Sequence, residues 1–87
     1  MKTSADAIKD LQDALTKAQA AQNTINNLTA THDYQDVTGM VVQAANGLLE
    51  AAIAFMQHDD SKALALVEAA EDLLDDMYDV IDGDLDL

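Results

Sequence analysis

Seventeen acidic residues against four lysines and no arginine leave this 87-residue chain with a formal net charge of −13, although 49% of its residues are apolar. That apolar share supports a folded core and excludes a disordered acidic tail, while sixteen alanines among the apolar residues make the core broad and shallow. The absence of cysteine and the presence of only His32 and His58 exclude a disulfide framework, a thiolate nucleophile and a Cys/His zinc centre.

The chain reads as a single helical domain over residues 1–87. Its first ten residues include Lys2, Asp6, Lys9 and Asp10 where a secretory signal requires an unbroken apolar run, so a cytoplasmic location is expected. A first helix is predicted over about residues 4–28. Thr3 or Ser4 can cap its free amides, and Asp6, three residues beyond Thr3, supplies the aspartate version of a capping box. Ile8, Leu11, Leu15, Ala18, Ile25 and Leu28 keep a helical period along one face, with Gln22 standing where an apolar residue is expected. The stretch from Thr29 to Asp36 breaks that pattern with poor helix formers and reads as a loop, with Asp33 and Asp36 as candidate caps for the next helix.

A second helix is predicted over about residues 35–57. It carries two interleaved seams, Val37, Val41, Ala44, Leu48, Ala51, Phe55 and Val42, Ala45, Leu49, Ala52, Met56, with a narrow polar strip of Gln43, Asn46, Glu50 and Gln57. A helix apolar over so wide an arc must be covered on two sides. Residues 37–56 are long enough to span a bilayer, but Gln43, Asn46 and Glu50 interrupt them and no basic flank anchors them, so no membrane association is expected. His58, Asp59, Asp60 and Ser61 then offer a turn and capping groups. A third helix is predicted over about residues 61–82, with the stripe Ala63, Leu66, Ala70, Leu73, Met77 and Val80 widened by Val67, Leu74 and Ile81, Gly83 as its stop, and an acidic tail at 83–87.

Three helices joined by short loops around a doubly apolar central one predict an all-α, three-helix, up-down-up antiparallel bundle. The second seam of the central helix, Val42, Ala45, Leu49, Ala52 and Met56, has more apolar surface than two neighbours of this length cover, and its alanines permit close approach. It is the candidate interface of a homodimer.

The charge is unevenly placed. Residues 1–58 hold three lysines and six acids, a net of −3, whereas residues 59–87 hold one lysine and eleven acids, a net of −10. Glu68, Asp72, Asp75, Asp79, Asp82 and Asp86 step by four and three along one helix face, with Glu71 and Asp76 beside them. Glu68 with Asp72, Glu71 with Asp75, Asp72 with Asp76 and Asp75 with Asp79 are like-charge pairs four apart, each costing about 0.2–0.5 kcal/mol. The acids also crowd the helix end whose dipole favours cations. A sequence shaped for stability alone places lysine there.

Site chemistry other than binding finds little support. Paired carboxylates need a cleft that separates their pKa values, and a convex helix face offers none, so no catalytic residues are assigned and no enzyme is expected. The segment from Asp82 to Asp86 starts like a calcium loop, but its glycine is second where the EF-hand requires it sixth, so no metal or cofactor is expected. His32 and His58 fall in different loops, which this topology places at opposite ends. Without arginine, and with a repulsive field, the chain is not expected to bind nucleic acid directly.

The expected partner is therefore a basic protein, itself nucleic-acid-binding, met by Glu68, Glu71, Asp72, Asp75, Asp76, Asp79 and Asp82. These seven carboxylates span about 21 Å of helix, one per ~3.5 Å, against one phosphate per ~3.4 Å of axis on each strand of B-DNA. In this acidic, arginine-free composition the chain resembles small phage-encoded inhibitors of restriction or CRISPR systems, a likeness of character without an alignable segment. Two other readings stand beside it. One is a helical assembly or adaptor protein, a homodimer whose acids serve solubility. The other is a halophilic surface, which the neutral amides Gln12, Gln19, Gln22, Asn23, Asn26 and Asn27 of the first helix oppose.

Overall fold

The computed structural model describes residues 1–30 and 33–85, and within them three helices: α1 (Ser4–Asn26), α2 (Gln35–Met56) and α3 (Asp60–Leu85). His32, expected in a loop, and Asp86, the last of the stepped acids, lie outside the described residues. No strand occurs among the described residues, and the arrangement is an all-α three-helix bundle.

Local signals account for most of the boundaries. The Thr3 hydroxyl oxygen accepts from the Asp6 amide at 3.2 Å and the Thr3 amide donates to the Asp6 carboxylate at 3.0 Å, so the capping box at the start of α1 is complete. α1 ends two residues sooner than its apolar stripe implies. The Asn27 side-chain amide donates to the Asn23 carbonyl at 2.7 Å, taking a group that helix continuation would use, and Leu28 falls beyond the helix. At the start of α2 the cap position is held by Tyr34, and Asp36 sits in the first turn, where the helix dipole favours a negative charge.

α2 closes with a Schellman pattern. His58 adopts a left-handed conformation (φ 60°), its amide donates to the Phe55 carbonyl at 3.0 Å, and the Asp59 amide reaches the Ala54 carbonyl at 2.9 Å. Asp59 then caps α3, its carboxylate accepting from the Lys62 amide at 3.2 Å. The predicted stop at Gly83 does not occur: the helix continues through it to Leu85, and no glycine among the described residues has a positive φ. A helical glycine costs about 1 kcal/mol relative to alanine but forbids nothing.

α2 is the centre of the arrangement. Gln35 donates to the Ile25 carbonyl at 2.7 Å, and Asn46 donates to the Gln22 side-chain oxygen, so α1 runs antiparallel to α2 from the loop outward. α3 folds back on α2 over a three-residue turn. Its buried Ala63, Ala70 and Met77 recur at heptad spacing and face Ala44, Ala51 and Ala54 of α2 in a seam of small side chains. Gly47 of α2 packs against α3 at Leu66 and Ala70. A Cβ there would lie 3.8 Å from the Leu66 carbonyl oxygen and 3.9 Å from the Ala70 Cβ.

Among the described residues no Cα of α1 comes within 8 Å of one in α3. The expected two-sided cover of α2 is met, but only two of its sides are covered. The result is open and elongated, 52 × 28 × 18 Å, with a radius of gyration of 15.3 Å against about 12 Å for a compact chain of this length. Among the described residues no large side chain is fully buried, and α1 has no buried residue.

Candidate protein-interaction site

The regular helix carries the predicted acidic stripe as one surface. Glu68, Glu71, Asp72, Asp75, Asp76, Asp79 and Asp82 are all exposed. At about 100° of rotation per residue, Asp72 and Asp79 point about 160° away from Ala70 and Met77, the residues that meet α2. Because α3 is helical throughout this span, the axial spacing of about 3.5 Å per carboxylate holds along its length. The only lysine of α3, Lys62, lies in its first turn, leaving the stripe without a cation on its own helix.

Two residues of this surface are not among those expected from the sequence. Leu64 is 57% exposed and Tyr78 is 59% exposed, and helical spacing places Tyr78 beside Glu71, Asp75 and Asp82 and Leu64 beside Glu68. Tyr78 lies at the edge of the apolar stripe, about 20° from Val67 and 40° from Leu74, and Leu64 lies further round on the acidic side. An aromatic residue at the edge of that stripe was the signal available for Tyr78, outweighed by the count of carboxylates around it.

The seam assigned to self-association is distributed differently. Ala45 and Met56 are exposed, whereas Val42, Leu49 and Ala52 are half-buried. The bare face of α2 lies one residue earlier, at Val41, Leu48 and Phe55, which are 42%, 44% and 45% exposed. Three consecutive residues explain the shift. Asn46 points at α1, Gly47 at α3, and Leu48, about 100° further round, at neither.

Polar groups occupy the space that the apolar ones leave. Asn46 is a buried polar residue, 6% exposed, and its Oδ1 has no hydrogen-bond partner among the described residues. Gln22, the interruption in the stripe of α1, is the residue it meets. Beside this pair, an open cleft of about 460 Å³ is lined chiefly by the carboxamides of Gln22, Asn26, Gln35 and Gln43, with Asp36 its one ionisable group. A cleft so lined lacks the nucleophile and base pair that hydrolytic chemistry requires. His58 is exposed in the turn between α2 and α3, where its role is conformational. α2 is long and apolar enough to cross a bilayer, though it carries Glu50 and the buried Asn46. No protein-family model, curated protein or solved structure matches the chain.

Proposed function

We propose that the protein is a non-enzymatic interaction module whose α3 acidic face docks on a basic, nucleic-acid-binding protein and occupies the site that a phosphate backbone fills. The observation that carries this reading is the set of seven exposed carboxylates bordering an exposed Tyr78 and Leu64 on one unbroken helix. A face that serves only hydration needs neither apolar residue. A binding face uses them as anchors, since interface energy concentrates in aromatic side chains while charges supply steering and register. A basic partner docked on this face would relieve the like-charge crowding along the helix.

The test is capture from a lysate of the source cells, with proteins identified by mass spectrometry at low and high salt, and then competition between this protein and nucleic acid for whatever is captured. The expected prey binds nucleic acid, elutes with salt, and loses its nucleic acid to this protein. Replacing Asp72, Asp75 and Asp79 with asparagine removes three charges at nearly constant shape. It should weaken capture more than tenfold and flatten the salt dependence while leaving helical circular dichroism intact. Tyr78→Ala should weaken capture without changing the salt slope. If the triple variant competes as well as the wild type, the stripe is a solvated face and the proposal fails.

A further inference from the structure

The acidic face uses α3 and leaves the uncovered side of α2 unexplained. We infer that this side, the stripe Val41, Ala45, Leu48, Ala52 and Phe55, is the interface of a two-fold homodimer. The stripe steps by four and three, the seam geometry of paired helices, and all five residues are apolar. It faces neither α1 nor α3, and its three large members are each more than two-fifths exposed.

The chain leaves a large area open for its size. A compact monomer of 9.3 kDa exposes about 5,000 Å², whereas this one exposes 6288 Å², an excess of roughly 1,300 Å² spread over the open three-helix arrangement. A standard interface removes about 800 Å² from each partner. The uncovered side of α2 supplies the apolar centre of such a contact, and among the described residues no large side chain is fully buried in the monomer.

Chemistry identifies the partner as a second copy. The stripe bears no charge, and the two acids of α2, Asp36 and Glu50, sit about 120° and 160° around the helix from Leu48. The acidic face of α3 points away from α2, so two chains of charge −13 can meet through α2 with their carboxylates directed outward. Large and small residues also alternate along the stripe. An antiparallel two-fold lays Leu48 and Phe55 of one copy over alanines of the other, and the same contacts recur with the copies exchanged, as an isologous interface requires.

Light scattering after size exclusion, on the full chain over a range of concentrations and at low and high salt, tests the inference. The wild type is expected at about twice 9.3 kDa at tens of micromolar. Salt should tighten the dimer by screening repulsion between two acidic chains, the opposite of its effect on a complex held by the acidic face. Leu48→Asp should shift the dimer constant at least tenfold toward monomer with helicity retained, because Leu48 makes no inter-helix seam within one copy. Leu48→Gln checks that the loss does not depend on added charge, and Gln19→Asp, on the exposed face of α1, should leave the dimer unchanged. A monomeric wild type at about 100 μM in high salt overturns the inference. So does a dimer indifferent to both Leu48 variants, or a monomer that instead binds vesicles of neutral phosphatidylcholine. The acidic-face proposal stands or falls separately, on the asparagine variants.

Discussion

Replacing Ala70 with leucine should lower stability by about 1–3 kcal/mol, seen as a fall of roughly 4–8 °C in Tm for each kcal/mol. Ala70 is 2% exposed where α3 packs on Gly47 of α2, and the space beside that glycine takes one carbon at ordinary contact distance, whereas leucine adds three. They must push the helices apart along the whole Ala44, Ala51, Ala63 seam, and a domain this small has only a few kcal/mol to lose. The opposite sign is expected one residue away in space. Gly47→Ala adds a methyl group 3.8 Å from the Leu66 carbonyl oxygen and 3.9 Å from the Ala70 Cβ, ordinary contact distances. It also removes the entropic cost of a mid-helix glycine, for a gain of about 0.5–1 kcal/mol. Thermal melts by circular dichroism at one fixed protein concentration read both. An Ala70→Leu protein that melts with the wild type would mean that the two helices do not meet there.

A sign reversal is expected at the buried amide pair. Gln22→Leu alone should destabilise by about 1–3 kcal/mol, because it leaves the Asn46 amide as unpartnered as its Oδ1 already is in a site 6% exposed. Adding Asn46→Leu should recover that loss and exceed it, bringing the double variant about 1 kcal/mol or more above the wild type, since apolar replacement of both members removes the desolvation cost altogether. The pair is thus strongly non-additive in a double-mutant cycle. A double variant less stable than Gln22→Leu alone would show that Asn46 is satisfied in solution and that the pair contributes to stability. With the reversal, the pair costs stability instead of adding to it.

The sequence announced the architecture where the signal is local. Thr3 and Asp6 mark the start of α1, Asp59 caps α3, and the carboxylates from Glu68 to Asp82 fall on one face of α3 because a helix fixes the azimuth of every residue on its own axis. The features that lay hidden depend on a second helix. Nearly every arc of α2 outside its polar strip is apolar, so periodicity does not say from which direction its neighbours dock. Asn46 read as a solvent-facing member of the polar strip. It faces α1 instead, which turns Val41, Leu48 and Phe55 outward and draws Val42 and Leu49 partly in. Gln22 was visible as an irregularity, but its meaning required knowing which residue of α2 lies opposite. The ends of α1 and α3 moved for smaller reasons: an asparagine side chain outcompeted helix extension at Asn27, and Gly83 stayed helical at the modest cost a helical glycine carries.

That α1 buries no residue bears on how the molecule opens. The α2–α3 hairpin closes over three residues and holds the tightest seam, so it forms with little loop entropy and persists longest. α1 is attached by half-buried side chains, the Asn46–Gln22 amide pair and the Gln35 bond to the Ile25 carbonyl, and its connection to α2 is longer. In native-state hydrogen exchange, amides of α1 should therefore exchange through a low-energy detachment, while those around Ala51 and Ala70 wait for global unfolding. Equal protection across all three helices would contradict this hierarchy. Each detachment bares the second flank of α2 beside the first, so the cellular liability of this protein, its exposure to proteases and to clumping, is set by how often its first helix lifts.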